Sequence, residues 1–467
     1  MTTAPSRPLS PAYPGVPAPG TRPAAPSAPP APGPAPARAS RWRAVNGSLF
    51  EGSPGRLRLA GVVGVLACLV FALLGASALQ ARSTALVDAD ADAAQLIRVQ
   101  QIATEVVRAD SLLTSGFPSP ELQTAAQVAA FDTALANAAQ LVAEAAAANP
   151  SDGAGLAHVS DALGQYRQYA TNARTYNAQG QQVGLGYLRQ ASAALRGPDK
   201  DNPNLISGTG TGMLPALDAL IRANAGRVDS AYSASGWATV RMVVADLLAL
   251  AGLVLVQVWL ARRTRRYLNV PLAAATAGVL VVLVVGAAVM IGAQSRADRV
   301  RSTSYTALTS LADARIAANE ARSDASISFL YLRTGGSFTS YRADYSARIG
   351  QVDAALNKAG TAAPSAALGD FTTWRTAADK MFDTTTRDRW VAVAHGIAQE
   401  GDPFNKPFLA FDTALGDGID AQGRAVGTGL GDGNLPLIVL TWLTLGLGVV
   451  AALVAWGGIA QRLEDYR

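Results

Sequence analysis

Four stretches of this chain carry almost nothing but apolar side chains: residues 59–80, 238–261, 270–293 and 435–460. Each is about 20 residues or longer, enough for a helix to cross a hydrocarbon core of ~30 Å. Between them, residues 81–237 and 294–434 change to a helical stripe pattern. Val99, Ile102, Val106, Ala109 and Leu113 alternate steps of three and four, and Leu163, Tyr166, Tyr169, Ala173 and Tyr176 are likewise spaced by threes and fours. Phe371, Trp374, Ala378 and Met381 repeat the spacing. Such stripes bury one face of a helix against its neighbours.

The helices are punctuated by Gly116-Phe117-Pro118-Ser119-Pro120, Asn149-Pro150-Ser151-Asp152-Gly153 and the irregular connection of residues 197–212. In the second segment the breaks fall at Gly335-Gly336, at residues 360–369, at Gly401-Asp402-Pro403 and at residues 427–436. No short alternating runs bounded by hairpin turns occur, so strands are not expected. The pattern predicts an all-α membrane protein with four transmembrane helices and two extracytoplasmic helical-bundle domains. The last break predicts weaker coupling of the final bundle helix to the fourth span.

The two halves read as an internal duplication. A single constant shift along the chain lines up Gln80 with Gln294, Arg82 with Arg296, and Ile102-Ala103 with Ile316-Ala317. The same shift aligns Arg108 with Arg322 and Asp110 with Asp324. With other offsets, Tyr166 and Tyr169 answer Phe371 and Trp374, and Leu217-Asp218 answers Phe411-Asp412.

Charge orients the spans. Residues 262–269 begin Arg262-Arg263-Thr264-Arg265-Arg266, and short Arg-rich loops stay in the cytoplasm. Basic residues also outnumber acids in residues 1–58, whereas both long segments are mildly acidic. This predicts a multi-pass protein of the cell membrane with cytoplasmic N- and C-termini and no nucleic-acid partner. Residues 1–40 are rich in Pro, Ala and Ser, a composition expected to be disordered. Residues 41–58 add Arg41, Trp42, Arg43 and Phe50. These four, with Arg262, Arg263, Arg265 and Arg266, contact membrane lipid in one reading and a cytosolic partner in the other. The tail of residues 461–467 is short.

Charged residues make up only 16% of the chain and hydrophobic ones 49%, as several spans require. One cysteine, Cys68, excludes an internal disulfide. Neither His158 nor His395 has metal-ligand spacing, and Gly208-Thr209-Gly210-Thr211-Gly212 lacks the lysine of a phosphate loop. The expectation is no catalytic residue, no metal and no cofactor: not an enzyme.

Arg108, Asp110, Arg322 and Asp324 are the candidate ligand- or partner-binding residues. Arg108 has Glu105 one turn before it, whereas Arg322 has no acid three or four residues away. Arg322 therefore takes an acid from another helix, stays in water, or meets an anionic ligand. Inside the second span stands Asp246, about 13 Å of helix beyond Trp237. It either faces a partner and couples the spans, or snorkels toward Arg241 and the surface.

A span, a helical bundle and a second span resemble the sensor half of bacterial chemoreceptors and sensor kinases. The whole plan, from about residue 41 to residue 467, looks like the actinobacterial GlnX-type four-span membrane proteins. That resemblance implies a relay in which an extracytoplasmic solute-binding lipoprotein reports an amino-acid nutrient through the membrane to a cytosolic serine/threonine kinase. Dimerisation fits exposed bundles of this kind. The alternatives are an accessory subunit of a transporter or channel, and a passive scaffold.

Overall fold

The computed structural model describes residues 53–117, 125–180, 182–197, 212–264, 270–334, 338–383, 404–431 and 434–464. The expectations for Arg41, Trp42, Arg43, Phe50, Arg265 and Arg266, and for the side chain of Arg263, lie outside them. The contacts below all fall within one compact unit, Leu57–Arg467.

Every element is helical among the described residues. In chain order they are α1 Ser53–Gly116, α2 Ala125–Ala148, α3 Gly153–Ala178, α4 Val183–Arg196, α5 Met213–Thr264 and α6 Val270–Val300. They continue as α7 Thr306–Thr334, α8 Phe338–Ala359, α9 Ser365–Asp383, α10 Asn405–Gly431 and α11 Asn434–Glu464. A π-helical turn, Arg301–Tyr305, joins α6 to α7 without a break in the chain's helical course. Four of these runs are long and apolar enough to cross a membrane: Arg58–Gly116, Met213–Arg262, Val270–Leu330 and Leu435–Gln461. The protein is an all-α membrane protein.

Each half builds its own bundle core. In the first, Val99, Ile102, Val106 and Leu113 of α1 meet Phe131 and Leu135 of α2, Leu156 and Tyr166 of α3, and Leu217 of α5. The second is more aromatic. Trp374 of α9 is fully buried, with Phe408 at 5.1 Å and Phe404 and Phe371 at 6.0 Å between ring centroids. Removing such a buried ring typically costs about 3–5 kcal/mol.

The membrane-spanning parts of α1, α5, α6 and α11 form a third core around Cys68, Phe71, Leu253, Val279 and Ala455. Lipid supplies no hydrophobic drive between helices, so close packing of small residues does. Gly448 lies so near Ala72 that a methyl group there would collide with it. Where the spans give way to the bundles, the fully buried Arg82 of α1 donates to Thr239 Oγ1 of α5 (2.8 Å) and to Gln294 Oε1 of α6 (3.0 Å).

Three details differ from the sequence pattern. The chain between α3 and residue 197 is not one helix. Gly180 takes a left-handed φ of 68°, and α4 folds back along α3. Gly184 permits the close approach, because a methyl group there would lie 2.8 Å from the Asn177 nitrogen. Residues 427–436 are also largely helical, since α10 continues to Gly431 and α11 starts at Asn434. Tertiary packing of α10 overrides the weak helix propensity of glycine there. Lastly, the break at residues 360–369 shrinks to a 3-10 turn, Gly360–Ala362, before α9 begins at Ser365.

Candidate functional site

The bundles meet where α1 crosses α7, and a buried polar junction fills the crossing. Arg196, on the last turn of α4, donates from Nη1 to Asp324 Oδ1 (2.6 Å) and from Nη2 to Asp110 Oδ2 (3.2 Å). Its Nη2 also reaches Ser323 Oγ (3.0 Å), and Ser323 in turn donates to Asp110 Oδ2 (2.7 Å). The Tyr166 hydroxyl donates to Asp110 Oδ1 (3.3 Å). Asp110 is 2% exposed and Asp324 1%.

Burial lowers the pKa of the Arg196 guanidinium, but Asp324, Asp110 and Glu320 more than reverse this and hold it above the ordinary guanidinium range. Burial raises the Asp324 carboxyl, which Arg196 offsets only in part. The same holds for Glu320, raised by burial against the pull of Arg348, whose Nη1 lies 3.0 Å away. The junction thus carries three acids against two guanidiniums, an arrangement sensitive to any shift between the halves.

A second polar centre lies on α10. Arg315 grips Asp412 through Nε (2.8 Å) and Nη2 (2.9 Å), and the Asn319 amide adds a bond of 2.9 Å. Burial raises the Asp412 carboxyl, but Arg315 and Asn319 more than offset it and leave it below the usual carboxylate range. Arg108 approaches the same carboxylate from the other bundle, at 3.9 Å, and Glu105 at 3.8 Å. A third centre, at the start of α3, holds Asp152 between Arg227 (2.7 Å), Asn224 (3.0 Å) and Gln95 (3.1 Å).

The four outer candidates therefore divide. Asp110 and Asp324 come together on Arg196. Arg108 sits half-exposed beside Asp412. Arg322 is buried, and its partner is an amide and a ring instead of an acid. It donates to Asn405 Oδ1 (2.7 Å) and stacks over Phe408 at 4.8 Å. Burial pushes its pKa down to about 10. In the membrane, Asp246 is fully buried and does not snorkel; Gly75 of α1 and Thr444 of α11 flank it. Neither carboxylate oxygen has a hydrogen-bond partner among the described residues. Arg262 is exposed at the end of α5.

Arg196 is the residue that the pattern along the chain does not single out. Its signal was a helix-ending Arg196-Gly197-Pro198 after the Gly180 break, which brings a cation back to the α1–α7 crossing.

The family described as actinobacterial sensor domain matches residues 85–233, the extent of the first bundle. No curated protein and no solved structure matches the chain. The match gives this multi-pass membrane protein a sensing or signalling role.

Proposed function

We propose that the protein is a non-enzymatic transmembrane relay that reports an extracytoplasmic nutrient to a cytosolic serine/threonine kinase. The observation that carries this reading is the Asp110–Arg196–Asp324 junction between two bundles whose helices run on into spans. α1 and α5 pass from bundle to span without interruption, and α6 passes into α7 through the π turn. Displacement of one bundle against the other then moves whole helices instead of loops.

The input is an amino acid presented by a solute-binding lipoprotein on the outer face, as in the GlnX-type proteins. The two termini and the Arg262–Arg266 turn lie in the cytoplasm, where Arg41, Trp42, Arg43, Phe50, Arg262, Arg263, Arg265 and Arg266 meet lipid or the kinase. Asp246 couples the spans: a buried carboxyl between three helices favours one packing when ionised and another when neutral. A homodimer is the working assembly.

Proximity labelling in living cells tests this, with the tag on the N-terminus and then between α2 and α3. The account expects a cytosolic kinase labelled in the first case and a solute-binding protein in the second. Permease subunits labelled instead would support an accessory role in transport, and an absence of both partners would leave a scaffold.

A further inference from the structure

A cavity of about 710 Å³ lies in a groove between the halves. The first turns of α5 form one wall, and α7 and α8 form the others. Its floor is apolar, with Leu217, Ile221, Ile316 and Ala355. Most of its charges are already paired: Arg222 with Asp218 (2.9 Å), Arg348 with Glu320 (3.0 Å), and Arg196 with Asp110 and Asp324. Two are not. Lys358 and Asp313 both line the groove, near enough for Lys358 to act on the Asp313 carboxyl, but neither makes an ion pair within 4.0 Å or a side-chain hydrogen bond among the described residues.

The groove is also a feature of the internal repeat. The shift that aligns Asp110 with Asp324 also carries Asn137, Gln140, Leu141 and Glu144 onto Gln351, Ala354, Ala355 and Lys358. The first four of these line a second cavity of about 330 Å³ on the other half. There Glu144 stands where Lys358 stands in the first groove, with Glu105 and Asp420 beside it, and the one cation, Arg315, is held by Asp412. Corresponding helix positions thus line both cavities, with different chemistry.

We infer that the first groove binds a small zwitterion with an aliphatic body, an α-amino acid of the leucine type. Lys358 takes its carboxylate, Asp313 its ammonium, and Leu217, Ile221 and Ile316 its side chain. A cavity of this size suits such a molecule with water to spare. The inference deepens the relay reading and rests on it for its consequence: a ligand joining α5 to α7 and α8 selects one placement of the halves. Asp313 is exposed at the rim of the groove, yet the groove walls desolvate its carboxyl enough to hold it up at about 6, Lys358 lowering it and Asp218 raising it. Ammonium binding needs the carboxylate, so affinity increases as pH rises from 5 to 7.

The test is calorimetric titration of the full-length protein in lipid nanodiscs with L-leucine, 4-methylpentanoate and 3-methylbutylamine. The last two each lack one of leucine's charges. Leucine is expected to bind saturably, and each analogue about 10-fold or more weakly. Lys358→Met and Asp313→Asn, both exposed positions, each weaken leucine binding about 10-fold, while Glu144→Gln leaves it unchanged. Binding of 4-methylpentanoate as tight as leucine, or no leucine binding at millimolar concentration with the fold intact by thermal melting, would overturn the inference. Failure here with both partners still labelled in cells leaves the relay standing on its binding protein alone.

Discussion

Asp110 and Asp324 stand at equivalent places in the two halves, and one guanidinium, Arg196, bonds to both. The junction marks the place where α1 and α7 pass. Two buried carboxylates this close repel each other and need a cation between them. The cation comes from α4 of the first half, which makes the junction asymmetric and the first bundle the one that can break it.

Replacing Arg196 by methionine keeps most of its packing volume but strands two carboxylates. Breaking a buried pair from one side costs about 3–5 kcal/mol. The thermal midpoint of the detergent-solubilised protein should fall accordingly, and the triple variant Arg196→Met, Asp110→Asn, Asp324→Asn should recover much of the loss. A triple variant no better than the single one would mean that the charges are not what the arginine serves.

Acid should loosen the centres at Asp412 and Asp152. Both carboxyls lie below their ordinary range when folded, because their guanidinium and amide partners more than offset burial. Their contribution is present above the unfolded carboxylate pKa near 3.8 and is lost as pH falls through the lowered folded values. Asp324 and Glu320 act oppositely, since their raised values mean stability lost as pH rises through them. The difference between the native chain and Asp412→Asn isolates the first group, because the opposing carboxyls are common to both. The variant should be less stable at pH 5 by about 3 kcal/mol, and melting from pH 5 down to 3 should narrow that gap.

Much of this was legible in the chain because helix periodicity and span length are local properties. The stripes of α1, α3 and α9, and the shift linking Asp110 with Asp324, follow from spacing alone. What lay beyond spacing was direction. Nothing near Arg322 indicates that Asn405 and Phe408, several helices further along the chain, meet it in place of an acid, water or an anionic ligand. Nor does the run from Leu163 to Arg196 announce that Gly180 turns the chain back and delivers Arg196 to the crossing. The glycines up to residue 431 differ for a related reason: their propensity argues against helix, and α10 continues through them to Gly431 with Gly429 packed on Val300.

Packing of α11 on α1 depends on Gly448. Gly448→Val places a branched side chain against Ala72 and the Cys68 carbonyl, where no methyl fits. Overpacking of this kind typically costs about 1–3 kcal/mol. A lower midpoint is expected, partly restored by Ala72→Gly; a midpoint unchanged from the native chain would contradict the contact.

Asp246 separates folding from signalling. Asp246→Asn keeps the shape of the buried side chain and should leave the midpoint within about 1 kcal/mol of the native value. If ionisation of the carboxyl switches the spans, the same variant abolishes the response of the kinase proposed as its partner. A normal response from Asp246→Asn would show that the carboxyl only fills space.

If the Arg196 junction sets the relation between the halves, it also sets, through their continuous helices, the arrangement of the spans. The most direct measurement is the spin-label distance between Leu59→Cys at the start of α1 and Arg262→Cys at the end of α5, with Cys68→Ser, in nanodiscs. Both positions are exposed. With arginine and with methionine at position 196, in samples that melt cooperatively, the account predicts distinct distance distributions. Superimposable distributions would contradict it, leaving Arg196 as a residue that holds two bundles together and carries nothing to the membrane.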